Sequence, residues 1–335
     1  MPAPQRHSTR LSRLLRLARE PFSAKGISPD RFARVALIAL VALGLIVLTG
    51  AAVRLTGSGL GCPDWPKCYG RAVAPLETHA LIEYGNRLLS GLVGIVAILV
   101  AVLAFRRRPF RRDLAALATL LPLGVVAQAV LGGFTVRNKL APGFVMAHFA
   151  LSMLIVVAAA ALAWRARHAP GQRARQHDAL SAWAVRALLP LGALAIFAGT
   201  AATAAGPHAG GNPGQKITRL TFDGGGTYDW TIHRHGEIGL ALGVAVVCVL
   251  LLVRRRQQSD RLLERSLLVT AGLLALQGAV GLVQYALHVP GELVFIHVGL
   301  ATGIWISLLW AVAAAGRLAP REARAVTVVA QPSAR

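Results

Sequence analysis

Acidic residues are scarce in this chain. Fourteen Asp and Glu stand against 36 Lys and Arg in 335 residues, and charged residues of both signs make up only 15%. With 55% hydrophobic residues and a mean hydropathy of +0.56, this scarcity excludes a disordered chain and an ordinary water-soluble enzyme. Cysteine is scarcer still: there are three, with no Cys-x-x-Cys pair and no His-x-x-x-His, which argues against a tetrahedral zinc site. Aromatics are 6% and are not interleaved with the basic residues in one patch. The net charge of +22 therefore does not describe a nucleic-acid-binding surface.

What is present is apolar sequence in blocks of about 20 residues, the length a helix needs to cross a bilayer. The blocks predict eight spans at roughly 33–53, 80–104, 114–134, 143–164, 180–205, 231–253, 266–288 and 291–315. Every second connection is loaded with arginine: Arg106, Arg107, Arg108, Arg111 and Arg112; then Arg165, Arg167, Arg173 and Arg175; then Arg254, Arg255, Arg256, Arg261 and Arg265. Because Lys and Arg mark the cytoplasmic side, this predicts a multi-pass cell-membrane protein with both termini inside. The 54–79, 135–142, 206–230 and 289–290 connections are then outside. Residues 1–34, with Arg10, Arg13, Arg16 and Arg19, read as a retained basic cytoplasmic tail, and 316–335 as a second tail.

The sequence repeats itself. Gln128 is followed four residues on by Gly132 and twenty on by His148, and Gln277 is followed likewise by Gly281 and His297. The Gly50 to Gly57 stretch resembles Gly199 to Gly206 in glycine spacing. The expected fold is all-α, with eight transmembrane helices forming two pseudo-symmetric four-helix bundles, 35–165 and 180–315, joined by a 166–179 cytoplasmic linker.

Polar groups inside spans are costly and mark function. Glu83, Asn86 and Arg87 share one face of span 2 by their i, i+3, i+4 spacing. Span 4 carries His148, span 6 begins with His233, Arg234 and His235, and span 8 carries His297. All enter from the same side of the membrane. Neutral imidazoles facing each other across a bundle are usual axial ligands of a haem. His233 and His235 are both candidates, but they lie two residues apart, so only one can easily face a given group.

The run Arg54-Leu55-Thr56-Gly57-Ser58-Gly59-Leu60-Gly61-Cys62-Pro63-Asp64-Trp65-Pro66-Lys67-Cys68 resembles the haem A synthase family. So do Ile82 to Arg87, Pro142-Gly143 ahead of His148, and Gly206-Pro207-His208-Ala209-Gly210. The resemblance covers nearly all eight spans. It implies an oxidoreductase that converts a ring methyl of haem O to a formyl group, giving haem A for cytochrome oxidase. It also implies a haem b cofactor in the C-terminal half and the haem O substrate in the N-terminal half.

Carried over by position, the resemblance makes His297 a haem b ligand with His233 as its partner and His235 as a rival. It makes His148 the ligand near the substrate and Glu83 the catalytic carboxylate, with Arg87 and Asn86 beside the cofactor or substrate. The family's commoner span 2 pattern is Glu-x-x-His-Arg, and position 86 here is Asn, a poor iron ligand. Implied partners are haem O synthase, cytochrome oxidase assembly factors and an electron acceptor.

Cys62 and Cys68 share the first outer loop, where an oxidising exterior allows a disulfide of structural or redox character. Cys248 reads as a buried packing residue of span 6. Two other functions fit the histidines: a non-catalytic haem carrier, which needs no carboxylate, and a quinol-linked cytochrome b, which needs complete histidine pairs in both halves.

Overall fold

The computed structural model describes residues 26–169, 178–212, 214–222, 226–256 and 260–316. The tail before Gly26, the middle of the 166–179 linker with Arg173 and Arg175, and the tail after Gly316 lie outside the described residues. Among the described residues the secondary structure is eight long helices and two isolated bridges, with no strand. The helices are α1 (Pro29–Leu55), α2 (Thr78–Arg106), α3 (Arg112–Arg137), α4 (Pro142–Arg167), α5 (Ala179–Ala205), α6 (Thr227–Arg256), α7 (Arg261–Ala286) and α8 (Gly291–Ala314). All eight are long and apolar enough to cross a membrane, and the protein is a multi-pass membrane protein.

Local chemistry sets the helix ends. Pro29 and Pro142 open α1 and α4 in the first turn, where a missing N–H costs nothing. Asp178 and Asp260 cap α5 and α7 by accepting from Ser181 N and Leu263 N. Each helix has 24 to 30 residues, hence a length of roughly 36 to 45 Å at 1.5 Å per residue, more than a bilayer core of about 30 Å. Leu88, Leu92 and Ile95, at i, i+4 and i+7 on α2, are more than half exposed. In water that stripe would be an aggregation surface; in a bilayer it faces lipid.

Three spans start about a turn earlier than the sequence reading, α1 at Pro29, inside the expected 1–34 tail, α6 at Thr227 and α7 at Arg261, because their first turns are rich in polar residues. Cys248, expected to be buried, is exposed on α6 and borders the cavity described below.

Contacts between helices close two cycles, α1–α2–α3–α4 and α5–α6–α7–α8, and the cycles meet through α1, α4, α5 and α8. Close approach relies on small residues, as helices in lipid require. A Cβ on Gly124 would fall 2.6 Å from Ile155, and one on Gly192 would fall 2.7 Å from Leu308. Across the seam, buried Trp305 of α8 donates its indole N–H to Met153 O of α4 at 3.1 Å.

Packing is graded along the helices. The fully buried residues concentrate toward the arginine-rich end: Ala97 to Ala104 of α2, Leu114 to Leu121 of α3, Met153 to Ala166 of α4, Leu242 to Val253 of α6, Leu263 to Thr270 of α7 and Ile304 to Ala314 of α8. Toward the other end, which carries the 56–77 and 206–226 loops, the helices surround a cavity.

Candidate functional site

The cavity has a volume of about 1510 Å³ and a mostly apolar lining drawn from all eight helices. It exceeds the roughly 300–1,000 Å³ of an ordinary small-molecule pocket. Glu83, Asn86, Arg87, His148, His233, His235 and His297 all border it. Glu83, His148, His235 and His297 lie five to eight residues from the starts of α2, α4, α6 and α8, so the four helices deliver their polar groups to a similar depth.

His235 of α6 and His297 of α8 face each other, with ring centroids 5.9 Å apart and planes at 68°. Both rings lie directly on glycine backbone. A Cβ on Gly199 would fall 2.9 Å from His235 Cε1, and one on Gly281 would fall 3.2 Å from His297 Cε1. His235 Nδ1 donates to Ala195 O at 3.1 Å, which fixes the tautomer whose Nε2 carries a free lone pair. His297 Nδ1 is buried without a hydrogen-bond partner, as is Gln277 Oε1 nearby in sequence register. His233 stands elsewhere on α6. Its ring is exposed, donates to Asp229 O at 2.6 Å and meets the edge of Tyr285 at 6.0 Å.

His148 of α4 repeats the α8 setting. A Cβ on Gly132 would fall 3.4 Å from its Cε1, its Nδ1 is buried without a partner, and so is Gln128 Oε1. Gln128 Nε2 ties α3 to α4 by donating to His148 O at 2.9 Å and Ser152 Oγ at 2.7 Å. The amide of Asn86 belongs to a different network, with its Oδ1 accepting from Thr49 Oγ1 of α1 at 2.7 Å.

Glu83 is buried, at 6% exposure, and both its oxygens are engaged. Oε1 accepts from Arg87 Nη2 at 2.5 Å and Oε2 from the backbone N–H of Cys62 at 2.7 Å. Arg87 also donates to the carbonyls of Lys67 at 2.9 Å and Asp64 at 3.1 Å, with longer bonds to Pro66 and Cys62, and lies 5.0 Å over the Trp65 ring. Cys62 and Cys68 form a disulfide. The loop it closes is thus clamped onto α2, and Trp65 reaches across to the backbone of Gly133 in α3, where no Cβ would fit.

Sequence reasoning did not place three of these features: the clamp of the disulfide loop on Glu83 and Arg87, the seat of Trp65 on Gly133, and Arg54 on the cavity wall. Arg54 carried a signal, a charge at the end of an apolar span. The other two join segments distant in sequence.

The family of cytochrome oxidase assembly proteins described as COX15-CtaA matches residues 33–309. The chain belongs to that family. The match runs from α1 into α8 and includes every cavity residue named above. A heme A synthase of Shewanella oneidensis is 27% identical over 318 residues, covering 81% of this chain and 93% of that protein. Heme A synthases of Alkalihalophilus pseudofirmus and Bacillus cereus are 32% identical over 126 residues and 35% identical over 122 residues. Each match covers 36% of this chain, with 42% and 39% of the respective relatives.

Proposed function

We propose that this member of the family is a haem A synthase, an oxidoreductase converting the ring methyl of haem O to the formyl group of haem A for cytochrome oxidase. The observation that carries the reading is the pair His235 and His297, 5.9 Å apart across an apolar cavity of about 1510 Å³. Two imidazoles in an apolar slot suit a haem iron, and His297 Nδ1, buried without a partner, belongs to the same wall.

The internal repeat supports His235 over His233 as the ligand. Gln128, Gly132 and His148 each stand 149 positions before Gln277, Gly281 and His297, and Gly50 stands 149 before Gly199. The same register pairs Asn86 with His235. The C-terminal half therefore offers two imidazoles for a resident haem b, and the N-terminal half offers His148 and an amide for the substrate. Haem b, when bound, supplies the redox-active iron through which oxidising equivalents pass.

The chain's own groups do the rest. The bond from His235 Nδ1 to Ala195 O leaves Nε2 as the ring nitrogen free to ligate. Glu83 borders the cavity with a carboxylate that can take a proton or balance developing positive charge, and Arg87 with the Cys62 N–H keeps it in place. Arginine at the end opposite the site supports a cytoplasmic position for that end and an extracytoplasmic one for the site, with oxidase assembly factors, haem O synthase and an electron acceptor as partners.

A haem carrier is the second reading, favoured by one observation: both oxygens of Glu83 are already hydrogen-bonded. The two separate in one experiment. Purified protein is supplied with haem O and a quinone or ferricyanide acceptor, and the haems are extracted and weighed. Formation of haem A supports the synthase; unchanged haem O with every acceptor supports the carrier.

A further inference from the structure

Two arginines border the cavity among the described residues, Arg54 and Arg87, and their guanidinium groups are in opposite states. Arg87 is spent on Glu83 and on loop carbonyls. Arg54, in the last turn of α1, makes a single long hydrogen bond, to His208 O at 3.4 Å, and pairs with no carboxylate among the described residues. The other cavity-lining carboxylate besides Glu83 is Glu237, which is paired with Arg234 at 2.5 Å.

Arg54 stands where the halves meet. Gly59 N donates to Gly210 O at 2.8 Å, joining the first loop to the loop after α5, and His208 Nε2 donates to Val289 O at 2.8 Å in the turn before α8. A Cβ on Gly210 would fall 3.3 Å from Arg54 Cγ, so the arginine stem fills the space that glycine leaves. Arg54 is half-buried, and an uncompensated guanidinium on an apolar wall is costly unless an anion completes it. Its planar fork of five donors matches a carboxylate bidentately.

We propose that Arg54 binds a carboxylate of the tetrapyrrole in this cavity and thereby sets how the ring is turned at the seam between the halves. The inference rests on the haem reading above and adds a residue to it. The repeat makes the anchor one-sided, because the position 149 after Arg54 is Thr203, which also borders the cavity but carries no charge.

The test compares haem O with its dimethyl ester, in which both carboxylates are masked, on protein purified with its resident haem. Wild type should bind the free acid about 10- to 100-fold more tightly than the ester, the range of charge-assisted hydrogen bonds. Arg54→Gln should bring that ratio toward one, and Arg54→Lys should restore part of it. Alternatively, Arg54→Gln should lose resident haem on purification while the ratio persists, which assigns the carboxylate to the resident ring. Equal binding of acid and ester by wild type, together with full resident haem in Arg54→Gln, overturns the proposal. An unchanged ratio with full resident haem in Arg54→Gln also overturns it. Wild type that binds no tetrapyrrole in either form overturns the haem reading itself.

Discussion

The backbone N–H of Cys62 donates to Glu83 Oε2 at 2.7 Å, so one end of the disulfide is bonded directly to the buried carboxylate of α2. Arg87 closes the arrangement by bridging Glu83 and the carbonyls of the same loop. The loop adds Gly59 and Trp65 to the cavity lining and holds Glu83, so the bonds that dock the loop also fix the carboxylate.

Histidine substitutions distinguish the α6 ligands. His297→Ala and His235→Ala should each strip resident haem or turn its low-spin spectrum high-spin, and His233→Ala should leave content and spectrum close to wild type. A spectrum lost with His233→Ala and kept with His235→Ala would reverse the assignment.

Glu83→Gln keeps the size of the side chain and an oxygen for the Cys62 N–H but cannot take a proton. Conversion of haem O should fall about 10²- to 10⁴-fold, the usual worth of general acid–base help, while resident haem and helix content remain. A normal rate of haem A formation in this variant would make Glu83 purely an anchor of the loop.

Opening the disulfide should act on one half alone. Cys62→Ser with Cys68→Ser, or mild reduction, should speed proteolysis within 63–77 and weaken haem O binding while the His235 and His297 spectrum stays unchanged. Loss of both haems together would show that the loop supports the whole bundle.

Sidedness is testable with single added cysteines and a membrane-impermeant thiol label on intact cells. Gln215→Cys, in the loop after α5, should be labelled, and Ala169→Cys, at the arginine-rich end, should not. The reverse pattern would place the site on the cytoplasmic side.

Asp178 gives a pH signature at the arginine-rich end. Desolvation pushes its carboxyl up, but bonds from Arg256 Nε at 2.9 Å and from Ser181 outweigh it and bring the group to about 2. The unfolded value is about 3.9, so the cap's stabilisation is complete above that and is lost as pH falls toward 2. Hydrogen-exchange protection of the first turn of α5 should be flat from about pH 7 to 5 and fall below about 4. Asp178→Asn should remove that pH dependence; a drop already at pH 6 would contradict the assignment.

The spans were legible because apolar length and alternating arginine are strong, local signals. Their ends were less so where polar residues begin a helix, as with Tyr228 and Asp229 in α6 or Glu264 and Arg265 in α7. The place of His148 and His297 on the cavity wall was legible through their repeated spacing from glutamine. That His235 rather than His233 faces His297 was not, because both sit at the same end of one helix. The clamp on Glu83 and the seat of Trp65 join a loop to helices far along the chain, and no local pattern encodes such meetings. Cys248 shows the limit of an apolar run as evidence of burial: in a membrane protein such a run is satisfied equally by lipid and by a cavity wall.

The grading of packing along the helices has a consequence for the order of assembly. The tightly interlocked end contains none of His148, His233, His235 and His297, nor Glu83 or Arg54, so its contacts form without any ligand on those residues. On the proposed reading, the eight-helix framework is therefore able to fold in the bilayer as an empty vessel and take up haem afterwards. Protein made in haem-deficient cells should then keep its helices and its protected arginine-rich end, and added haem should slow hydrogen exchange only in the half that bears the loops.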